Sequence, residues 1–328
     1  MMKVGILGFG FVGKLHMGTL RKGGLAEVTA VADKNPANLA EGASTEGNIA
    51  MDAGLAGLAG VTTYGEGDEL LQDPNLDVVL IALPTYLHKE YLLKALQTDK
   101  QIICEKPFLR TAAEGEEVLA AIDKAGRPVF VAHCIRFWPA YAKAREVVQE
   151  GDYGKVLRAH FIRRSPKPTW SWQDWLLDDS KSGGCALDMH IHDVDYVNYV
   201  FGAPAGVRAE GVRVGNEGVT DVLATYEYDD GKLITVEGSW EHQPAYPFRM
   251  AFRLMLEGAT LEFNTLTDGK LHIYTADGET LTPELSEEDG YTHEFRYFFE
   301  CMDSGKAPTV VTPSSSVEAL ALVERELA

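Results

Sequence analysis

The chain has 328 residues, 45% apolar and 24% charged, which is globular usage, suggests about two domains and excludes a disordered, collagen-like or low-complexity protein. Its 30 Lys and Arg against 49 Asp and Glu leave a formal charge of −19, so phosphate backbones and anionic membrane surfaces are repelled and neither nucleic acid nor membrane is an expected partner. Cys104, Cys134, Cys185 and Cys301 are widely spaced with no C-x-x-C, the apolar stretch after Met1-Met2-Lys3 is too short for a signal peptide, and the longest apolar run, Val78 to Leu83, is far below the roughly 18 residues of a membrane span; a soluble, cytoplasmic protein is expected.

The first third alternates strand and helix signals. Lys3 to Leu7 is a short apolar run ending in glycine, and Phe11 to Arg21 has a helical pattern. Val28 to Ala32 and Asp77 to Leu83 are the next strands. Tyr86 to Gln97 is amphipathic, Gln101 to Cys104 extended, Ala113 to Ala125 helical and Pro128 to Ala132 extended. Such alternation predicts a doubly wound parallel sheet, a Rossmann domain over residues 1–126. The Gly- and Ala-rich stretch from Glu41 to Gly60 gives no clear ends.

From residue 127 to 328 the texture is α+β. Pro139 to Glu150 reads as a helix stopped at Gly151, Lys155 to Arg164 as a strand, and Cys185 to Tyr199 as a helix. Extended runs from Val207 to Leu281 are punctuated by Asp229-Asp230-Gly231, Glu257-Gly258, Asp268-Gly269 and Asp277-Gly278, which predicts hairpins in a large, mostly antiparallel open sheet. Tyr291 to Met302 and Ser314 to Leu327 are helical again.

Gly8-Phe9-Gly10-Phe11-Val12-Gly13 is a G-x-G-x-x-G that follows one predicted strand and opens a helix. Its glycines permit the tight turn, a close approach of backbone to a pyrophosphate, and tight helix–strand packing, while the helix N-terminus offers N–H donors. Asp33, 20 residues after Gly13 at the end of the second strand, stands where a carboxylate accepts from the ribose hydroxyls and repels a 2′-phosphate. NAD is therefore the expected cofactor. Lys34 beside it softens the choice and keeps NADP possible.

Glu105-Lys106-Pro107 follows the fourth predicted strand, at the sheet edge where ligands of open parallel sheets bind, so Lys106 is expected to point towards the cofactor. In Gly183-Gly184-x-x-x-Asp188-x-His190-x-His192-Asp193, Asp188 and His192 are i and i+4 on a helix and share a face, with Asp195 one step further along it and His190 nearly opposite. A carboxylate one turn from an imidazole orients it and raises its pKa, which suits a general acid or base near neutrality. The alternative is an acidic residue favouring the helix dipole with a core histidine behind it. A metal site is not expected: these side chains diverge around the helix, and no ligand spacing such as H-E-x-x-H is present.

In their order and separation, the glycine motif, Glu105-Lys106-Pro107 and the Gly183-to-His192 run resemble the glucose–fructose oxidoreductase / inositol dehydrogenase (Gfo/Idh/MocA) family. The resemblance extends to Pro84-Thr85-x-x-His88, to His133 through Pro139 with Arg136 and Phe137, and to Trp175 before the two glycines; it covers nearly the whole chain. It implies an active site between the two domains and an open sheet that serves oligomerisation, hence a homodimer or homotetramer. It also implies a catalytic group of Lys106, Asp188 and His192, a cofactor groove lined by Pro84, Thr85 and His88, and Glu105 near the nicotinamide ribose. The reaction implied is hydride transfer between nicotinamide and a carbinol carbon of a sugar, inositol or other polyol. His192 would carry the hydroxyl proton, Lys106 would hold the substrate oxygen, and Asp188 would orient either; in some members the lysine carries the proton, so that division stays open. The stretch Thr45 to Gly60 departs from the family by its length.

For the substrate itself, Arg136 and Trp172 are the first candidates, ahead of Arg163, Arg164, Trp170, Trp240, His242 and Tyr246. Two rivals remain at this stage: a redox-assisted glycosidase with tightly held NAD, and a non-enzymatic NAD(H) sensor, against which the acid–base set argues.

Overall fold

The computed structural model of the chain describes residues 1–40, 42–48 and 53–328; five positions of the Gly- and Ala-rich stretch, 41 and 49–52, lie outside them. Among the described residues the strands form two sheets, of six and eight strands, and the chain divides into two compact units. The first is Met1–Cys134 together with Tyr291–Glu318, the second Ile135–Gly290 together with Ala319–Ala328.

The first unit begins β1 (Lys3–Leu7), α1 (Phe11–Gly23), β2 (Glu27–Ala32), β3 (Thr62–Tyr64), α2 (Gly67–Leu71) and β4 (Val78–Ile81). It continues with α3 (His88–Ala95), β5 (Gln101–Glu105), α4 (Ala112–Ala125) and β6 (Val129–Ala132). Every strand pair is parallel, in the order β3-β2-β1-β4-β5-β6. The order reverses between β1 and β4, so the crevice beyond their carboxyl ends is the ligand position this topology supplies. Local chemistry sets the helix ends. The Arg21 and Lys22 charges suit the last turn of α1, which Gly24 stops in the left-handed conformation. Thr111 caps α4 by accepting from the Glu114 N–H at 3.1 Å. The sequence reading missed β3 and α2: Thr62-Thr63-Tyr64 is an edge strand with no fully buried residue, so it carries no apolar run to read.

The second unit holds α5 (Pro139–Glu150), β7 (Val156–Pro166), α6 (Asp179–Ser182), a π-helical turn at Ala186–His190 and α7 (Ile191–Phe201). Then come β8 (Gly206–Arg213), β9 (Val219–Glu227), β10 (Leu233–His242), β11 (Arg249–Leu256), β12 (Ala259–Asn264), β13 (Leu271–Thr275) and β14 (Thr280–Leu281). The sheet order is β14-β13-β12-β11-β7-β10-β9-β8; the β7–β10 pair is parallel and its other pairs antiparallel. Each acidic-Gly turn read from the sequence joins two antiparallel neighbours: β9–β10, β11–β12, β12–β13 and β13–β14. One face of this sheet is the core, with Tyr141 of α5 and Tyr196 of α7 meeting edge to face at 4.8 Å and Phe252 of β11 4.8 Å from Tyr141. Two last helices follow, α8 (Gly290–Ser304) and α9 (Pro313–Leu327). In the first unit α8 lays Phe298 5.3 Å from Phe130 of β6.

Candidate active site

The carboxyl edge of the parallel sheet gathers the residues read as cofactor-binding. Gly8 directly follows β1 at φ +89°, and a Cβ there would stand 2.4 Å from the Ala82 carbonyl oxygen just after β4; a Cβ at Gly13 would stand 2.1 Å from the Gly8 carbonyl oxygen. Neither position admits a side chain. At Gly10, by contrast, an added Cβ meets nothing within 4 Å, so the backbone there presents an open face beside the first N–H groups of α1. That is the cradle a pyrophosphate requires, and the residues present fit a bound dinucleotide. Phe11 and Val12 follow, both half-buried. Asp33 directly follows β2: its Oδ2 accepts from the Phe9 N–H at 2.7 Å and from the Asn38 amide at 3.0 Å, and its Oδ1 from the Asn35 N–H at 2.8 Å. The carboxylate is thereby fixed against the glycine turn. Lys34 points elsewhere, pairing with Glu66 at 3.3 Å on an open surface, where the bond to Glu66 raises its pKa.

Two polar residues that sequence reasoning passed over stand beside this turn. Lys14 is 2% exposed; its ammonium donates to the Ser44 carbonyl at 2.7 Å and lies 5.7 Å over the Phe9 ring, and burial pulls its pKa down against the opposing pull of Asp33. Gly47 sits so close to the Phe11 ring that a Cβ would approach it to 2.2 Å, so residues 44–47 are seated on the start of α1. His16, fully buried on the inner face of α1, meets Glu105 at the end of β5 with Nε2 2.5 Å from Oε1. Its signal was its place in the buried stripe Gly13, His16, Met17, Leu20.

Glu105 is thus a buried strut. Its other oxygen accepts from the Lys106 N–H at 2.9 Å. Burial by itself would push its pKa up, but the His16 bond and charge, with the Lys106 charge and N–H, hold the carboxyl below its ordinary value. Lys106 is half-buried, and the Lys106–Pro107 bond is cis. Pro84 is half-buried and Thr85 buried. His88 is 1% exposed and lies between two loops: Nδ1 is 2.9 Å from the Pro107 oxygen and Nε2 2.8 Å from the Leu83 oxygen. Desolvation lowers its pKa, against the carbonyl bonds that favour the charged form. His88 therefore staples the segment after β4 to the segment after β5.

In the second unit the Asp188-to-His192 run crosses from the π turn into α7. From residue 182 to 197, Asp188 and His192 are the two residues that are not buried. Their neighbours are drawn inward by separate partners. His190 Nε2 lies 2.8 Å from Glu326 Oε2, the Arg163 Nε donates to Asp193 Oδ2 at 2.8 Å, and Arg136 holds Asp195 through Nε at 2.8 Å and Nη2 at 2.6 Å. Asp195, expected on the face of Asp188 and His192, is instead wholly buried, where Arg136 binds it. Arg136 is 5% exposed, with Tyr199 stacked 4.4 Å from its guanidinium carbon. Trp172 is 42% exposed and precedes Gln173 and Asp174, both left-handed at φ 52° and 50°. Trp240 is buried. Among the described residues, no group of three or more His, Cys, Asp or Glu is placed to hold a metal ion.

Comparison with known proteins identifies the family. Residues 2–133 match the model of the oxidoreductase family with an NAD-binding Rossmann fold, and residues 141–262 match the GFO/IDH/MocA C-terminal domain. The chain is 30% identical over 261 residues to a scyllo-inositol 2-dehydrogenase (NAD(+)) of Bacillus subtilis, covering 76% of this chain and 74% of that protein. A myo-inositol 2-dehydrogenase of Thermotoga maritima is 24% identical over 94% of this chain and 90% of its own. Among solved structures, levoglucosan dehydrogenase in complex with NADH and levoglucosan superposes with a TM-score of 0.82 at 22% identity, covering 99% of this chain and 95% of that one, which speaks to the fold.

Proposed function

The chain belongs to the Gfo/Idh/MocA oxidoreductase family, with an NAD-binding Rossmann domain, and from that premise we propose that it moves a hydride between nicotinamide and a carbinol or keto carbon of a sugar, inositol or related polyol. The relatives named for inositols point to that substrate class. The observation that carries the assignment is one pair on an otherwise buried run: every neighbour of Asp188 and His192 from residue 182 to 197 is buried, and this carboxylate and imidazole alone are half-buried.

When bound, NAD supplies the hydride acceptor. Lys106 hydrogen-bonds the substrate oxygen and stabilises the negative charge that grows there as the hydroxyl proton leaves, before the C–H electron pair departs as hydride. His192 takes the hydroxyl proton, and returns it in the reverse direction. Asp188 orients His192 or a neighbouring hydroxyl. Trp172 offers an exposed aromatic face for a sugar ring. With its guanidinium held by Asp195, Arg136 acts on the substrate through the helix rather than by contact. A second copy of the chain covers the outer sheet face, where Leu223, Met255 and Tyr274 are 45%, 40% and 42% exposed. The protein works in the cytoplasm, in keeping with four buried free thiols.

The test is NADH formation at 340 nm from a panel of inositols, aldoses and sugar acids, wild type beside Lys106→Ala. A signal that falls about 10²- to 10³-fold in the variant, with NAD binding retained, is expected. Equal turnover in the two proteins removes Lys106 from the chemistry. No signal on any polyol, with NAD surviving purification, turns the assignment to redox-neutral elimination of a glycosidic bond.

A further inference from the structure

Glu326 lies two residues from the end of the chain, yet its carboxylate is wholly buried. One oxygen receives His190 Nε2 at 2.8 Å and the other the Tyr226 hydroxyl of β9, whose pKa burial and the carboxylate push well up. Both oxygens are therefore held. Nε2 of His190 thus faces the carboxylate, and its Nδ1 has no hydrogen-bond partner among the described residues. Opposite, Gly238 of β10 makes room: a Cβ there would stand 2.6 Å from the His190 Cβ and 2.9 Å from Nδ1. The imidazole is thus clamped between a glycine and a carboxylate 136 residues away in sequence.

His190 is the last residue of the π turn. A π turn gives up the regular α-helical hydrogen-bond ladder and is marginal without outside support. Two residues apart on such a helix place side chains on roughly opposite sides, so a grip on His190 from behind sets the stance of Asp188 and His192 in front. A buried hydrogen-bonded charge is poor evidence of stabilisation, since an apolar pair of equal volume commonly does as well. What it supplies is a defined position. The flanking pairs Arg163–Asp193 and Arg136–Asp195 hold the helix downstream of the turn.

We infer that Glu326 is a positioning residue for the proposed reaction: through His190 it fixes the π turn that carries Asp188 and leads into His192. This rests on the polyol oxidoreductase reading given above.

The experiment compares full-length wild type, Glu326→Ala, Glu326→Gln and His192→Ala. The kcat and KM are followed across pH on whichever of scyllo-inositol, myo-inositol and levoglucosan the wild type oxidises, alongside NAD affinity by calorimetry and the melting temperature. Glu326→Ala is expected to lower kcat about 10- to 100-fold, as a displacement near 1 Å would, to move the midpoint of the kcat–pH profile, and to leave NAD affinity within twofold. Glu326→Gln keeps an oxygen for Nε2 and is expected to recover most of the kcat. A folded Glu326→Ala with wild-type kcat and pH midpoint overturns the inference. So does a kcat loss that vanishes at a temperature well below its melting point. If Glu326→Ala does not fold, Gly238→Ala, which presses on His190 from the other side, must lower kcat and shift the midpoint in the same way; unchanged values overturn the inference. If no polyol is turned over, or His192→Ala keeps full activity, the functional reading falls separately. Hydrogen exchange then decides: Glu326→Ala is expected to speed exchange across 186–192 about tenfold relative to α5, and equal protection overturns the role of Glu326.

Discussion

At the scale of single residues, Asp33 joins two tasks that its sequence position disclosed only in part. Spacing after the glycine motif marks a ribose-reading carboxylate, and the fold adds a bond from the Phe9 N–H that ties it to the turn. Asp33→Ser removes the charge that repels a 2′-phosphate and keeps a short acceptor for Phe9. The expected outcome is a shift of at least about tenfold in the NADP-to-NAD ratio of kcat/KM, since each 1.4 kcal/mol is a factor of ten. An unchanged ratio would mean that the ribose is read elsewhere. Residues with a fixed spacing to a motif, such as Gly8, Gly10, Gly13, Asp33 and Lys106, were legible in the chain. Lys14, His16, Asn38 and Glu326 were not, because each earns its meaning from a partner that is distant in sequence or from burial of a side chain type that is normally exposed.

Between elements, the Glu105–His16 contact joins the end of β5 to α1, beneath the cofactor turn. Because folding holds the Glu105 carboxyl below its ordinary pKa, the contact stabilises the native state at pH above the unfolded carboxylate value of about 4.3. That stabilisation is lost as pH falls from there through the lower folded value. The melting temperature of wild type is expected to drop across this window, and Glu105→Gln to show a flatter acid limb from a lower starting point; parallel curves for the two proteins would assign the acid sensitivity to other carboxylates. The helix pattern predicted α7 with its face, but a π turn leaves the apolar periodicity nearly unchanged over five residues, so neither the turn nor the inward placement of Asp195 could be read. Turn chemistry was a better guide: Asp-Gly pairs located the hairpins of the second sheet because only a few residue types tolerate the backbone angles required.

For the whole molecule, neither unit is a continuous stretch of chain. Phe295 of α8 lies 4.9 Å from His16, Phe298 5.3 Å from Phe130, and a Cβ on Gly115 would press on Val317 at 2.6 Å, so residues 291–318 cover apolar surface of the first unit. Each such buried phenylalanine contributes roughly 2 kcal/mol. A fragment ending at Cys134 is expected to bind hydrophobic dye and to melt without cooperativity, whereas the same fragment fused to 291–318 should melt cooperatively and bind NAD; equal cooperativity in both would show that the returning segment is dispensable. During synthesis the same interleaving imposes an order of events. The nucleotide-binding unit emerges first and must wait, incomplete, while all of Ile135–Gly290 is made, a delay on the order of ten seconds at roughly 5–20 residues per second. The half of the protein translated first is thus among the last to be finished, and on the ribosome its exposed flank is the surface for a chaperone to guard.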